Sequence, residues 1–408
     1  MSALTIVIPW YGPDTVGGAE SQARALALAL RRLGVDISVW TTDGKDSFAP
    51  PAPHYSAGDA ELDGVTIRRF PIDAPFAGFP IPAPLLGRTY IAPQFWQLLP
   101  EHELRLLASL PSSAALLAAI AADRSDRRFI FMIYPFPTTF WGLILAGERG
   151  ALLPCLHDEP YARYSSYAGM FRAARLVLAN SGAERALALR LYDLPPERMV
   201  VAGEGIDLTP AGDGARFRAE FDIDGPLLVA VGRRSTPGKN IPLLLSYLRE
   251  YLRRRGRTLT LALVGRDDLA IAPSLRPWVR DLGYLSAQQK ADAYAAADVF
   301  VHPSVHESFS IVLMEAWLQR APALVHAACD VTREAAASSE AGVWFGDFGT
   351  FAAALDTLLD DAPLRRAMGE RGRSWVLANC RWEDVARRTA AAVLGDTSEM
   401  HYPMSASL

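Results

Sequence analysis

The chain has 408 residues, 50% of them hydrophobic, so it is long enough to bury two cores and is not a disordered chain. Its 41 Lys and Arg residues against 45 Asp and Glu give a formal charge of −4, which argues against a general nucleic-acid binder that neutralises phosphates. The three cysteines, Cys155, Cys329 and Cys380, have no paired spacing, as is typical of a reducing compartment. We therefore expect a cytoplasmic protein.

The first half of the chain alternates short apolar runs with amphipathic stretches. The opening run TIVIPW predicts a buried strand rather than a signal peptide, because no basic stretch precedes it. A helical stretch that ends near Gly34 and a second apolar run complete a βαβ unit. The same alternation continues to the run at 198–205 and predicts a doubly wound parallel sheet. Residues 43–64 and 73–100 are rich in Pro, Gly and aromatic side chains and are expected to be long loops at the rim of this sheet.

Residues 129–146 carry no charge over 18 positions, which is near the minimum length of a membrane-spanning helix. Pro135 and Pro137 would remove two backbone donors and kink such a helix in its middle. A buried strand at 129–134, a loop and a helix from about Thr138 use the same residues without strain. We therefore favour the strand and helix over the membrane span.

A cluster of Gly, Pro and Asp at 205–214 predicts an interdomain linker. The apolar runs beyond it predict a second sheet of the same kind, with helices expected near 239–255, 287–297 and 308–320. Residues 350–395 have a helical pattern, in which Trp375 and Trp382 are expected to anchor the region across both domains.

The sequence thus predicts an α/β protein with two Rossmann-like, doubly wound domains at 1–207 and 208–380. Residues 381–408 are expected to form a C-terminal helix that crosses to the first domain and a loose tail after Gly395. Because open α/β sheets bind ligands beyond the carboxyl ends of their strands, we expect the ligands in a cleft between the two domains.

Two cationic side chains follow the first strand of the second domain. Gly232, Arg233 and Lys239 lie in the segment between this strand and the next helix. Arg can fork two phosphate oxygens, Lys supplies a compact charge, and backbone amides at a helix start add donors, which together suit a diphosphate. The alternative, that both cations are solvated loop residues, has equal weight on this segment alone.

Two carboxylates, Glu307 and Glu315, are spaced by eight positions in HESFSIVLMEAW. If a helix begins at Ser308, this spacing advances about 12 Å with a net rotation of about 80°, so both could face one elongated ligand. A carboxylate accepts hydrogen bonds from two adjacent sugar hydroxyls, so a nucleotide sugar fits the pattern. The alternative is that Glu307 only interacts favourably with the helix dipole and that Glu315 is a surface residue. Apolar neighbours in the sequence surround Glu315, however.

Several other patterns are weaker. His302, His306 and Glu307 lie in a loop with Pro303, which does not give the i, i+4 geometry of a helical metal site. The other weak patterns are the metal-site-like pair Asp222 and Asp224, the incomplete dinucleotide fingerprint at Gly212 and Gly214, and the basic run 247–257. A solvated helix face is favoured for 247–257, but a membrane-surface role stays open for it and for the aromatic stretch 76–99.

Five segments together resemble one known family. They are VGGAE with Gly17 and Gly18, LHDEP with His157, GEGID at 203–207, GRRSTPGKN at 232–240 and the acids of ESFSIVLMEA. In order and spacing, over about residues 4–390, they resemble the retaining glycosyltransferases of family four, which have the GT-B fold. One departure is visible, because Gly203 and Glu204 stand where the family often has Pro-Asn.

The resemblance implies roles for particular residues. Arg233 and Lys239 would hold the donor diphosphate, Glu315 the nucleotide ribose, and Glu307 and His157 the transferred sugar. The residues implied as catalytic are Arg233, Lys239, Glu307 and His157, and those implied in donor binding are Gly17, Gly18, Gly232, Phe309, Ser310, Ile311 and Glu315. No metal and no other cofactor is expected, because the cationic pair would neutralise the phosphates.

The resemblance also implies the reaction. A hexose would pass from a UDP- or GDP-sugar to an acceptor hydroxyl by attack on the same face of the sugar, with the departing phosphate as the base and no residue as nucleophile. Closure of the domains about 205–214 would exclude water. The expected setting is bacterial envelope or exopolysaccharide assembly, in the cytoplasm or at the inner face of its membrane.

The acceptor is expected to be a glycan, a lipid-linked sugar or a small molecule, and the sequence does not identify it. Three other functions stay open. A GT-B sugar-nucleotide epimerase would convert the donor without an acceptor, a non-catalytic subunit would bind the donor without transfer or hydrolysis, and a Rossmann oxidoreductase would bind a nicotinamide cofactor.

Overall fold

The computed structural model describes residues 3–15, 17–46, 52–73, 85 and 95–395. Most of the aromatic stretch 76–99 and the tail after Gly395 lie outside the described residues, and so do the predictions made for them. The chain divides into two compact units, which we call the N-terminal unit (residues 1–205 and 382–408) and the C-terminal unit (residues 206–381).

The N-terminal unit is built on one sheet, which has eight strands within the described residues. Its strand order is β3-β4-β2-β1-β5-β6-β7-β8, and every neighbouring pair is parallel except β3 with β4. The strands are β1 Leu4–Val7, β2 Ile37–Thr42, β3 Gly58–Leu62, β4 Val65–Phe70, β5 Arg128–Met132, β6 Gly150–Leu153, β7 Leu176–Ala179 and β8 Met199–Val201. The helices are α1 Gly18–Arg32, α2 Glu101–Ser109, α3 Ala114–Ala122, α4 Pro137–Ala146, α5 Ser165–Ala173 and α6 Gly182–Tyr192, with α14 Trp382–Leu394 at the other end of the chain.

Both faces of this sheet are covered at its centre, which explains why the strands β1, β5, β6 and β7 are almost wholly apolar. Successive side chains of β5 point to opposite faces, so Phe129 and Phe131 belong to one buried cluster and Ile130 and Met132 to the other. The segment 129–146 forms β5 and α4, as the two prolines predict, and Pro137 is the first residue of the helix. Among the described residues, no helix combines the length and the apolar character needed to cross a membrane.

The C-terminal unit has its own parallel sheet, with strand order β11-β10-β9-β12-β13-β14 in the described residues. Its strands are β9 Leu227–Val231, β10 Thr260–Val264, β11 Val279–Gly283, β12 Val299–His302, β13 Ala323–His326 and β14 Gly342–Phe345. Its helices are α7 Gly214–Glu220, α8 Ile241–Arg255, α9 Ala287–Ala296, α10 Ile311–Leu318, α11 Asp330–Ser339, α12 Phe348–Asp360 and α13 Ala362–Asn379. The prediction of two α/β domains with Rossmann-like sheets is confirmed.

The structure refines the predicted organisation at an edge strand and at two tryptophans. Residues 58–62 form an antiparallel edge strand rather than part of a loop. Trp375 packs on Trp317 within the C-terminal unit, with ring centroids 5.8 Å apart, whereas Trp382 lies against Gly205 in the N-terminal unit. Each tryptophan therefore anchors its own unit.

The expected linker at 205–214 is held by the C-terminal unit over much of its length. The amide of Gly212 donates to Gln319 Oε1 at 2.9 Å, and Gln319 Nε2 donates to the carbonyl of Pro210 at 2.8 Å. Gln288 Nε2 donates to the carbonyl of Ala211 at 2.8 Å. These side-chain bonds fix residues 210–212, so they are part of the unit rather than a free hinge.

Candidate active site

The loop after β9 carries the predicted cation Arg233. Its Nε lies 3.2 Å from Asp267 Oδ2 and its Nη2 lies 3.1 Å from Oδ1, so the carboxylate fixes the guanidinium plane at two points. Asp267 comes from the loop after the neighbouring strand β10 and also accepts from Ser235 Oγ at 2.7 Å. The bonds from Arg233 and Ser235 lower the pKa of Asp267 to about 2. Asp267 therefore stays ionised and holds Arg233 in place.

The loops after β9 and β10 approach each other closely at two glycines. The amide of Gly232 donates to the carbonyl of Val264 at 2.9 Å. A Cβ added to Gly265, which has a φ of +149°, would lie 1.9 Å from the carbonyl oxygen of Gly232. Only glycine fits at 265 with this spacing, and the close approach brings Asp267 within reach of Arg233.

Lys239, the second predicted cation, forms an ion pair with Glu307, the first predicted acid. Its Nζ lies 2.6 Å from Glu307 Oε1, and the Glu307 side chain is only 9% exposed. The carbonyl of Gly238 accepts from the amide of Val305 at 2.8 Å and from Ser304 Oγ at 3.0 Å, which ties the two loops together. Burial alone would raise the pKa of Glu307, but Lys239 and His302 bring it well below its usual range. The Glu307 carboxyl group is therefore ionised.

The helix that follows Glu307 begins later than the sequence predicts. We expected Ser308, Phe309 and Ser310 as its first residues, but α10 begins at Ile311. Ser310 has a φ of 76° and a ψ of 73°, a left-handed conformation that cannot continue an α-helix backwards. Phe309 is 7% exposed and belongs to the apolar core. Of these predicted donor-binding residues, Ile311 alone lies within the helix.

Glu315 lies on α10 and contacts two side chains of α9. Lys290 Nζ is 2.6 Å from its Oε1, and the hydroxyl of Tyr294 donates to its Oε2 at 3.1 Å. The Glu315 side chain is 23% exposed, so it is not a freely solvated surface residue. Burial and the neighbouring carboxylate raise the pKa of Tyr294 well above its usual value, so the phenol keeps the proton that it donates.

Gly17 and Gly18 begin α1 in the N-terminal unit, directly after the loop that follows β1. Gly17 is the N-cap, with a φ of 158°, and Gly18 is the first helical residue. A Cβ at Gly17 would lie 1.9 Å from Glu20 Oε2, so the carboxyl group of Glu20 folds back over the N-cap. Glu20 is 8% exposed, and burial raises its pKa to about 7.

His157 follows β6 in the N-terminal unit and is held by a carboxylate. Its Nδ1 lies 3.2 Å from Glu159 Oε1, and the hydroxyl of Tyr134, just after β5, donates to Glu159 Oε2 at 2.9 Å. The neighbouring Leu156 amide donates to Glu184 Oε1 at 2.5 Å. Burial raises the pKa of Glu184 to about 7, since the carboxyl group is wholly enclosed. These contacts fix the position of the His157 loop.

Several of the weaker sequence patterns have local structural explanations in the described part of the chain. Within the described residues, no group of three His, Cys, Asp or Glu side chains is arranged to hold a metal ion. His302 contacts Glu307, but His306 packs on Gly238 instead. Gly212 and Gly214 lie against the backbone of α9, and this close approach leaves no room for a Cβ at either position. The guanidinium groups of the basic run are ion-paired at Arg253 and Arg254 with Glu250, at Arg255 with Asp356 and at Arg257 with Asp356 and Asp360.

The predicted residues of the C-terminal unit lie on loops at the carboxyl edge of its sheet or on α10; they are Gly232, Arg233, Lys239, Glu307, Phe309, Ser310, Ile311 and Glu315. Lys239 and Glu307 are in direct side-chain contact. Gly17, Gly18 and His157 lie in the N-terminal unit. Their partners Asp267, His302, Lys290, Tyr294 and Glu159 were not singled out as site residues from the sequence.

Two family models match consecutive parts of the chain. The model described as "Glycosyltransferase Family 4" matches residues 16–210, and the one described as "Glycosyl transferases group 1" matches residues 214–375. A D-inositol 3-phosphate glycosyltransferase of Nocardia farcinica is 30% identical over 408 residues, covering 92% of this chain and 85% of the relative. The chain belongs to glycosyltransferase family 4. The predicted family is confirmed.

Solved structures show the same fold for this family 4 glycosyltransferase. Sucrose-phosphate synthase from Thermosynechococcus elongatus superposes with a TM-score of 0.69 at 18% identity, covering 97% of this chain and 99% of that one. Anabaena HepE, solved in complex with UDP and glucose, gives a TM-score of 0.65 at 17% identity, covering 97% of this chain and 100% of that one. The GT-B fold predicted from the sequence is therefore confirmed.

Proposed function

We propose that this family 4 glycosyltransferase moves a hexose from a UDP- or GDP-sugar to an acceptor hydroxyl with retention of configuration and without a metal ion. One observation carries the proposal, which is the contact of Lys239, after β9, with Glu307, after β12. Arg233 is fixed by Asp267 in the same β9 loop, and Glu315 lies on the helix that follows Glu307. The complex of Anabaena HepE with UDP and glucose, on the same fold, supports a nucleotide-sugar donor.

Each predicted donor residue would act through a specific group. A guanidinium has five N–H donors and an ammonium three, so Arg233 and Lys239 can keep their carboxylate partners and still contact phosphate oxygens. Glu315 would accept hydrogen bonds from the ribose hydroxyls, and Glu307 would accept from the transferred sugar. The phosphate charge that grows as the sugar leaves would be stabilised by the two cations and the amide of Ile311.

The transfer step needs no nucleophilic side chain. The bond between the sugar C1 and the oxygen of the β-phosphate breaks, and the acceptor oxygen forms a bond to C1 on the same face. The proton of the acceptor hydroxyl passes to the departing phosphate oxygen. His157, whose orientation Glu159 fixes, would contact the sugar near C1, and Gly17 and Gly18 would approach the phosphates.

The acceptor supplies the hydroxyl group that receives the sugar. We propose a glycan, a lipid-linked sugar or a small polyol in bacterial envelope or exopolysaccharide assembly, acted on in the cytoplasm or at its membrane. The relative from Nocardia is named for D-inositol 3-phosphate, so phosphorylated polyols belong in the acceptor panel.

The proposal is tested by titrating the protein with UDP and GDP and by assaying UDP- and GDP-hexoses with an acceptor panel in the presence of a chelator. We expect one nucleoside diphosphate to bind and an α-linked product to form from an α-linked donor, as NMR would show. Donor conversion without an acceptor would indicate an epimerase, and binding without transfer or hydrolysis would indicate a non-catalytic subunit. Loss of activity with the chelator would contradict the metal-independent mechanism.

A further inference from the structure

His302, the last residue of β12, joins two residues of the donor site. It is 2% exposed, and its ring stacks on Phe300 with centroids 5.7 Å apart and planes 19° apart. Its Nε2 lies 3.0 Å from Glu307 Oε1 and 3.1 Å from Ser310 Oγ. One ring nitrogen thus contacts both a carboxylate and a hydroxyl.

The chemistry of Glu307 decides which atom carries the proton. Lys239 Nζ lies 2.6 Å from the same oxygen, Oε1, and this ammonium keeps the carboxylate ionised. An ionised carboxylate only accepts hydrogen bonds, so His302 Nε2 must carry a hydrogen and donate it. A nitrogen that carries a hydrogen in the ring plane cannot accept one from Ser310. The N–H of His302 therefore points to the Glu307 carboxylate and the Ser310 hydroxyl, and Ser310 Oγ acts as an acceptor in this contact. The proton of the Ser310 hydroxyl points elsewhere.

The backbone of Ser310 is the second observation. The residue adopts a left-handed φ of 76° directly before α10, a conformation that glycine adopts without strain and that a residue with a Cβ adopts at a cost. Ser310 is 4% exposed, so its hydroxyl is enclosed beside the first amide of the helix, at Ile311. A helix start favours anions, and a hydroxyl proton there adds a donor to the backbone amides.

We propose that His302 is a positioning residue of the donor site, whose single N–H holds Glu307 and Ser310 so that the Ser310 hydroxyl donates to a pyrophosphate oxygen of the bound nucleotide sugar. This inference rests on the proposed function. It assigns a specific group, the side-chain hydroxyl, to the donor-binding role that the family resemblance implies for Ser310.

Two substitutions of Ser310 separate the hydroxyl from the backbone. Ser310→Ala removes the hydroxyl and keeps the strained backbone, whereas Ser310→Gly removes both the hydroxyl and the strain. If the hydroxyl donates to the donor, both variants lose affinity for UDP or GDP, and lose kcat, by about tenfold, although the glycine variant melts no lower than the parent. Parental nucleotide affinity and kcat in Ser310→Gly would overturn the inference.

Substitutions of His302 test the shared N–H. Gln can place an N–H donor near the position of the imidazole Nε2, whereas Leu cannot. We expect His302→Leu to lower kcat by about tenfold and His302→Gln to restore most of it, with little change in KM for the acceptor. His326, the last residue of the next strand β13, is the matched control, and His326→Leu should leave kcat unchanged. Equal losses in His302→Gln and His302→Leu would contradict a role for the N–H.

Nucleotide binding by the parent protein and by Ser310→Gly distinguishes failure of the proposed function from failure of this inference. If the parent protein binds no nucleoside diphosphate, the proposed function fails and this inference fails with it. If the parent binds UDP or GDP and Ser310→Gly binds it equally well, the proposed function stands and the inference alone is wrong.

Discussion

At the scale of single residues, the ion pairs of the C-terminal unit determine how strongly a phosphate can be held. Arg233 shares its charge with Asp267 and Lys239 shares its charge with Glu307, so neither cation is an isolated charge before the donor binds. Such pairing keeps the long side chains ordered, which lowers the entropy lost when a ligand binds. The binding energy of the donor therefore depends on carboxylates as well as on cations.

Arg233→Ala should lower turnover with any donor by on the order of 100-fold, because the growing charge on the leaving phosphate loses a preorganised donor. Asp267→Asn should have a smaller effect, since it loosens the guanidinium without removing it. Steady-state kinetics of the two variants measure the difference. Near-normal turnover in Arg233→Ala would remove this residue from the proposed role.

Glu315→Gln should weaken binding of the nucleoside diphosphate by about tenfold, because the ribose hydroxyls lose a charged acceptor. Calorimetric titration measures the change. Lys290→Met provides the comparison, since it removes the ion pair with Glu315 but keeps the carboxylate. Unchanged affinity in Glu315→Gln would contradict the assignment to the ribose.

Glu20 predicts a pH dependence of stability. Its pKa is raised by burial from 4.5 to about 7, so between these values the folded chain binds a proton that the unfolded chain has released. Stability must then fall as pH rises through this window, by about 1.4 kcal/mol per pH unit at most. Glu20→Gln should remove the contribution of Glu20 to this slope, whereas the buried Glu184, whose pKa is also raised to about 7, contributes equally in both proteins.

Chemical denaturation of the parent and of Glu20→Gln between about pH 5 and pH 7 would show whether the stability difference changes with pH. Glu61→Gln, at an exposed position of β3, is the control and should run parallel to the parent. Parallel curves for Glu20→Gln and the parent would show that burial of Glu20 does not shift its titration.

The sequence predicts some contacts of single residues and not others. The apolar neighbours of Glu315 already indicate that its carboxylate is not a simple surface group. Its partners Lys290 and Tyr294 come from a helix that is distant in sequence, and no spacing rule links them. The sequence places His302 near Glu307 in a loop without the geometry of a helical metal site, and the structure adds that its Nε2 contacts the Glu307 carboxylate.

At the scale of elements, strong apolar periodicity predicts a helix or strand well, and local backbone conformation decides its ends. The sequence predicts that α10 begins at Ser308, three residues before its first residue in the structure, Ile311. The left-handed conformation of Ser310 depends on surrounding structure and has no sequence signal. The sequence does not predict the strands β3, β11 and β14, of which the first two, GDAEL and VRDLG, are charged edge strands without an apolar run.

Helix α14 completes the apolar core of the N-terminal unit, where Val385 is 1% exposed in a cluster with residues of α1. Val385→Asp should destabilise this unit by about 3 kcal/mol or more, because it buries an unpaired carboxylate. Hydrogen exchange should accelerate in 1–205 and not in 206–381. Arg387→Asp, at an exposed position on the same helix, is the control. Equal acceleration in both ranges would contradict the division of the core.

At the scale of the whole molecule, the alternation of apolar runs and helical stretches predicts two separate sheets, and the structure has them. The sequence boundaries at 207/208 and 380/381 were placed from a Gly, Pro and Asp cluster and from helical pattern, and the units divide after Gly205 and after Arg381. The sequence does not predict that the linker is bound to the C-terminal unit. The side chains of Gln288 and Gln319 hold it there, and neither residue has a local sequence signal for this role.

The C-terminal unit should fold as an isolated fragment of residues 206–381. Its ends meet, since the amide of Ile206 donates to the carbonyl of Cys380 at 3.0 Å, and its sheet has an apolar cluster on each face. We expect the fragment to bind UDP or GDP within about tenfold of the whole chain and to transfer no sugar. The same fragment with Arg233→Ala is the control. An unfolded fragment, or one that binds no nucleotide that the whole chain binds, would contradict the prediction.

The N-terminal unit is discontinuous, since its last helix is α14 at the far end of the chain. During synthesis, the ribosome must therefore release all of residues 206–381 before that helix emerges. The usual order, in which the first domain matures first, is reversed here for the final packing step. Until α14 emerges, the incomplete N-terminal unit exposes the surface that this helix later covers. Chains that stall before this point should therefore be recognised by chaperones through that surface.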